Sequence, residues 1–231
     1  MLMWLDASYL LMVLVPTLVL GLLAQAAVKT AFARASRIPS RRGLSGAAAA
    51  EALLEREGVR DVTVEPVGGF LSDHYDPSSR TLRLSPEVYR QPSLAAVAVA
   101  AHEAGHALQH QAGYAPLALR TGIVPIVNGG FFLAQIALMI GLFFAGGLHG
   151  PLFKLACLGY GLVFLFSLVT LPVEFNASRR ALVALRGQGL ITLEEEPVVR
   201  GVLRAAALTY VAASVTALLQ LLHILSLGRD E

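Results

Sequence analysis

The stretch SLAAVAVAAHEAGHALQHQAG, residues 93–113, decides how this chain is built. Its first half is apolar without interruption, yet its second half carries His102, Glu103, His106 and His110. Ser93 is a helix-capping side chain, and Gly113 with Pro116 makes a stop, so the spacing predicts a helix over about 94–111. His102, Glu103 and His106 form H-E-x-x-H. Helical residues four apart share a face one turn along the axis, so two imidazoles can grip one ion and Glu103 can reach a water on it. Zinc lowers the pKa of bound water to about 7, and a neighbouring carboxylate can take its proton and later hand it to a leaving amine. At this His and Glu content the pattern arises by accident in about 1 chain in 100. The bland alternative is a buried helix with satisfied histidines. Against it, LAAVAVAA packs the helix deeply, where unpaired polar groups are costly, while Ala104, Gly105 and Ala107 leave room for ligands to approach. His110 lies eight residues from His102, about 12 Å along the axis, too far to share the ion. It reads as a supporting or surface group.

Working outward, the composition is that of a membrane protein. The 231 residues are 55% hydrophobic and only 15% charged, with a mean hydropathy of +0.64; soluble domains carry about 25% charged residues. A net charge of +2 gives no nucleic-acid footprint. The single cysteine, Cys157, sits in an apolar run and reads as a small core or lipid-facing side chain. The apolar stretch Tyr9 to Val28 is long enough to cross a bilayer and lacks the basic flank of a cleaved signal, so it reads as a retained anchor. Three more stretches, about 123–147, 152–173 and 205–227, are equally long and apolar, with a tight connection near GGLHGPLFK. Of the 18 Lys and Arg, 11 fall in residues 29–122 and 5 in 174–204. Basic residues concentrate on the cytoplasmic side, so both polar segments are expected inside and both termini outside.

The expected fold is therefore a mainly α membrane protein with about four transmembrane helices and a small α+β catalytic domain between the first and second spans. Its divisions are an anchor over 1–28, an α+β zinc-binding segment over 29–122, two spans over 123–173, a ligand-bearing segment over 174–204, and a last span with its tail over 205–231. Within the α+β segment, SGAAAAEALLEREG is a helix capped by Ser45 and stopped by Gly58, and VRDVTVEPV alternates like a strand. FLSDHYDPSSRTLRLS reads as two strands joined at Asp76, Pro77, Ser78 and Ser79, and SPEVYRQ starts a short helix with Pro86 at its first position.

A catalytic zinc needs a third protein ligand on the same membrane side. Glu174, in LPVEFNASRRAL where the third span ends, is the strongest candidate, and His74 in SDHYD is its rival. The run Glu194–Glu196 reads as a solvated face or a helix start before Pro197. Ser72, Asp73 and His74 invite a hydrolase-triad reading, but consecutive strand residues point to alternating faces.

AAHEAGHALQHQ, followed some seventy residues later by LPVEFNASRRAL, and preceded by DHYDP and LRLS, resembles the YugP-like neutral zinc metallopeptidases of bacterial membranes. These are relatives of the HtpX-type and CAAX-prenyl-protease gluzincins. The resemblance covers most of the chain. It implies Zn2+ held by His102, His106 and Glu174, with Glu103 as the catalytic base. Where the HtpX-type relatives place an Asp that supports a histidine ligand, this chain has Ser178, a candidate supporting residue without the charge. Arg179 and Arg180 become candidates for holding a substrate carbonyl, supporting Glu174 or meeting lipid headgroups. The strand containing Leu82, Arg83 and Leu84 becomes a candidate edge that pairs with an extended substrate.

The expectation is a zinc endopeptidase of the bacterial inner membrane, facing the cytoplasm, whose partners are the bilayer and a peptide or membrane-protein substrate. A homo-oligomer or a membrane-protein regulator is left open by the sequence. Two alternatives stand beside it. A site-2-type intramembrane protease would place H-E-x-x-H within a span and draw a late ligand from an Asp-Gly motif, and neither is found here. A non-catalytic scaffold would hold structural zinc, normally with four ligands rich in Cys, and residues 29–122 have none.

Overall fold

A computed structural model describes residues 7–69, 72–144 and 150–228. In chain order the elements are α1 (Ala7–Ser36), α2 (Gly46–Arg56), β1 (Thr63–Pro66), β2 (His74–Asp76), β3 (Thr81–Leu84), α3 (Pro86–Arg90), α4 (Leu94–Gln111), α5 (Ala115–Phe144), α6 (Pro151–Gly187) and α7 (Glu196–Leu227). The fold is mainly helical with one small three-stranded sheet among the described residues. α1, α5, α6 and α7 are long and apolar enough to cross a membrane. The tight connection expected near residues 146–154 begins outside the described residues, as does Arg229.

Each of these helices outlasts the span expected from hydropathy. Hydropathy marks where apolar character fades, whereas a helix continues while its next face finds a partner. α6 runs past Glu174 because Val173, Ala177, Ala181, Ala184 and Leu185 recur at helical spacing and are all buried. α7 begins before residue 205 because Thr192 and Glu195 form a reciprocal cap. The Glu195 N–H donates to Thr192 Oγ1 at 3.3 Å, and the Thr192 N–H donates to Glu195 Oε2 at 2.8 Å. The helix-start reading of the acidic run therefore holds, with Glu195 buried rather than solvated. Pro116 does not end a helix; it sits in the first turn of α5, where its missing N–H costs nothing.

The chain divides into two compact units. One comprises Gln25–Ala118 and Pro172–Leu208 and contains the sheet. Ser45 caps α2 by accepting the Ala48 N–H at 3.2 Å, and Ser93 caps α4 by accepting the Ala96 N–H at the same distance. Gly58 and Gly113 take the expected positive φ, 75° and 58°, just beyond α2 and α4. The two helices pack together through alanines, with Ala49, Ala50 and Leu53 of α2 and Ala95, Ala98 and Ala101 of α4 all fully buried. The β2–β3 turn forms where it was expected. Asp76 accepts the Ser78 N–H at 2.9 Å and the Ser79 hydroxyl at 2.7 Å.

The sheet order is β1-β3-β2, with β1 parallel and β2 antiparallel to β3. This overturns the edge-strand expectation for Leu82, Arg83 and Leu84. Both sides of β3 are already paired, Leu82 and Leu84 are fully buried, and Arg83 forms an ion pair with Asp76 at 3.3 Å. The outer strands are β1 and β2.

Within the described residues, the other unit draws on 7–24, 119–144, 150–171 and 209–228. Its described helices turn large apolar side chains outward, among them Leu11, Leu22, Phe132 and Leu158. Close packing within it relies on small residues: a Cβ on Gly159 would lie 2.2 Å from the Ala134 Cβ. The Tyr160 hydroxyl donates to Gln135 Oε1 at 2.6 Å, which satisfies a polar pair inside an apolar bundle.

Candidate metal centre

α4 carries His102 and His106 one turn apart, their ring centroids separated by 4.9 Å. α6 brings Glu174 against them from 72 positions away in the sequence. What permits the approach is Gly105, which lies between the two histidines. A Cβ there would sit 2.4 Å from the Ala177 carbonyl oxygen, so only glycine lets the α6 backbone come this near. Glu174 Oε2 lies 3.2 Å from His102 Nε2 and 3.6 Å from His106 Nε2. One ligand atom from each residue falls within 4.8 Å of the others.

These separations can be tested against a metal. Zinc–nitrogen and zinc–oxygen bonds of about 2.0–2.1 Å in a tetrahedron set ligand atoms about 3.4 Å apart. The observed distances bracket that value, and two imidazoles with one carboxylate are a donor set suited to a divalent ion. His106 and Glu174 are buried, with 8% and 1% of their surface exposed. A carboxylate so deep in the protein needs a cationic partner. The residues present fit zinc.

The far side of each ring is held by the protein. His102 Nδ1 lies 3.1 Å from Ser178 Oγ, and His106 Nδ1 lies 3.0 Å from Gln109 Oε1. The amide orientation of Gln109 follows from its surroundings, because its Nε2 donates to the Val173 carbonyl at 2.8 Å and to Asn176 Oδ1 at 3.0 Å. Arg180 Nε donates to the same Asn176 oxygen at 2.8 Å, and its guanidinium lies over the Tyr114 ring. With both Nδ1 atoms engaged, each imidazole directs Nε2 toward Glu174. Such outer partners fix the tautomer and aim the ring.

Burial pushes the Glu103 carboxyl above its ordinary range; His102 and His106 pull it back, while Glu174 and Asp73 push it further up. Burial also works against the His106 imidazolium, but its hydrogen bond to Glu174 and the charges of Glu103 and Glu174 outweigh it, so His106 is raised. The His106 shift describes a pocket that attracts positive charge, whereas that of Glu103 is first the cost of burying a carboxylate. Glu103 Oε2 accepts the Tyr75 main-chain N–H at 3.0 Å, and its other oxygen makes no hydrogen bond among the described residues.

The remaining candidates lie elsewhere. His74 is exposed on β2, its Nδ1 2.7 Å from the Ser72 carbonyl, and it is not part of the His102, His106 and Glu174 group. Asp73 accepts the Ser85 N–H and hydroxyl at 2.8 and 3.0 Å, tying β2 to the end of β3 rather than to His74. Arg179 is exposed and lines an apolar cavity of about 520 Å³ with Phe175, Ser178 and Leu203. His110 bonds the Tyr75 hydroxyl, away from the group. Sequence reasoning missed Gln109, Asn176 and Tyr75. Gln109 had a legible signal: it is three residues after His106 and seven after His102, on their face of an otherwise apolar helix.

The family model described as "Putative neutral zinc metallopeptidase" matches residues 10–229, and the chain belongs to that family. The chain is also 45% identical over 216 residues to the "Putative membrane protease YugP" of Bacillus subtilis (strain 168), covering 90% of this chain and 92% of that protein. No solved structure matches it.

Proposed function

We propose that this protein is a membrane-embedded, zinc-dependent endopeptidase of the gluzincin type, with its catalytic unit on the cytoplasmic side of a bacterial inner membrane. The observation that carries the reading is the convergence of His102, His106 and Glu174 within 4.8 Å beside Glu103. His102, His106 and Glu174 would hold the ion. When bound, zinc supplies Lewis acidity that acidifies a water and polarises a carbonyl.

The chain's own residues do the rest. Ser178 and Gln109 hold the two imidazoles in orientation. The Tyr75 N–H holds one oxygen of Glu103. The other oxygen takes a proton from the attacking water, and Glu103 then delivers that proton to the leaving amine. Its raised affinity for protons brings it closer to the range in which one carboxyl serves as base and then as acid.

Placement between the first and second spans, with Glu174 arriving from 174–204, suits cleavage of peptides or membrane proteins near the bilayer surface. The clustering of 16 of the 18 Lys and Arg in the two polar segments (11 and 5) supports the cytoplasmic orientation. Among the described residues, α4 is not one of the four helices long and apolar enough to cross a membrane, which favours this reading over a site-2-type intramembrane protease.

The test is Glu103→Gln in the full chain, purified in detergent and supplied with quenched-fluorophore casein. It should keep one zinc per chain by elemental analysis and lose cleavage. Unchanged cleavage would sink the endopeptidase mechanism, and a wild-type chain that binds zinc but never cleaves would favour the scaffold.

A further inference from the structure

Tyr75 meets α4 twice. Its main-chain N–H donates to Glu103 Oε2 at 3.0 Å, and its hydroxyl lies 2.8 Å from His110 Nδ1. Glu103 and His110 are seven residues apart, two helical turns on one face, about 10 Å along the axis. One residue thus bridges the two turns with its backbone at one end and its phenol at the other. The strand register allows this. Tyr75 is opposite Leu82 in the antiparallel β2–β3 pair, and its N–H points to α4 rather than into that ladder. The Tyr75 and His110 rings are tilted at 55° with centroids 5.9 Å apart, and Tyr75 also packs against the buried core. Burial raises the phenol's pKa, with Asp76 adding to the effect, so the hydroxyl keeps its proton and can donate it to the imidazole.

β2 is an outer strand of three residues, with only β3 to hold it on the sheet side. A main-chain amide cannot be aimed by its own side chain unless that side chain is anchored. We infer that His110 and Tyr75 are positioning residues for Glu103: the phenol–imidazole bond fixes β2 against α4 at the height where the Tyr75 amide holds one carboxylate oxygen and leaves the other for water. The inference rests on Glu103 being the base.

Tyr75→Phe deletes only the hydroxyl and retains the ring. His110→Leu deletes the acceptor and retains apolar bulk. Each should lower kcat on quenched-fluorophore casein by about 10- to 100-fold, the scale on which small misplacements of a reacting group act. KM, zinc stoichiometry and thermal midpoint should stay near wild type. The double variant should fall no further than either single one, because both remove the same bond. His110→Gln, which can still accept from the phenol, should recover most of the rate. Wild-type kcat in Tyr75→Phe overturns the inference, and so do losses that multiply in the double variant or that track loss of zinc. Glu103→Gln, run in parallel, separates the two levels. If it is inactive while Tyr75→Phe is normal, only the positioning role fails; if it remains active, the reading of Glu103 fails with it.

Discussion

α1 and α4 are both apolar helices, and they do opposite things with that character. In the most apolar window of α1 only 11% of residues are buried, and Leu11, Leu22 and Leu23 are each more than 60% exposed. α4 buries Ala95, Val97, Ala98, Ala100, Ala101 and Ala104 completely. The difference lies in side-chain size. Leu, Met and Val on α1 present bulk to a surrounding apolar medium. Ala and Gly on α4 let neighbouring backbones approach, and that close packing encloses the histidines. Hydropathy alone does not separate a helix that faces lipid from one that houses chemistry; the volume of its apolar residues does.

The comparison breaks first at Glu174. Glu174→Ala should abolish zinc retention and reduce casein cleavage to background, because among the described residues it removes the one member of the proposed ligand group that α4 does not supply. Elemental analysis of the purified protein checks it, and a variant that still holds zinc would disprove the assignment.

Next comes the packing that brings α6 to α4. Gly105→Val should cost about 1–3 kcal/mol or more and destroy metal binding, since even its Cβ would meet the Ala177 carbonyl oxygen at 2.4 Å. The matched change on α1, Gly21→Ala, meets nothing within 4 Å and should leave stability unchanged or raised by up to about 1 kcal/mol. Thermal unfolding in the same detergent reads both.

A smaller effect is expected from Gln109→Ala. It leaves every ligand in place but frees the back of His106, and should weaken zinc affinity by about 10- to 100-fold in a chelator competition. Leu22→Ala, on the exposed side of α1, should shift stability by no more than about 0.5 kcal/mol.

The smallest change sits in the β2–β3 turn. The Ser79 hydroxyl and the Ser78 N–H hold the Asp76 carboxyl down to about 2. A carboxyl depressed on folding stabilises the native state above its ordinary pKa near 4 and loses that contribution as pH falls toward 2. Hydrogen-exchange protection at the turn, taken relative to the intrinsic amide rate at each pH, should therefore fall over that interval in wild type, and less so in Asp76→Asn.

Much of the site was legible because it is local. His102, Glu103 and His106 belong to one helix, and both ends of that helix are written in Ser93 and Gly113. Glu174 was suggested by its place at the end of an apolar run, and Ser178 only by the resemblance, as the residue standing where the HtpX-type relatives carry an Asp. Three readings needed more than the sequence. The place of β3 in the centre of the sheet depends on β1 pairing with it in parallel from outside the hairpin, which no local pattern encodes. The true lengths of α6 and α7 depend on what their polar turns meet. Arg180 was a candidate for a substrate carbonyl, for Glu174 or for lipid headgroups, and its Nε instead donates to Asn176, which in turn accepts from Gln109.

By itself the sequence determined the helices, their caps, the four apolar stretches and the two histidines one turn apart, because hydrogen bonding and side-chain periodicity act over a few residues. Only the tertiary structure decided that Glu174 closes on those histidines, that Gln109 and Ser178 aim them, and that Tyr75 reaches Glu103. The contacts between α4 and α6 join segments up to 76 positions apart, and they form because the missing side chain at Gly105 allows one backbone to lie against the other.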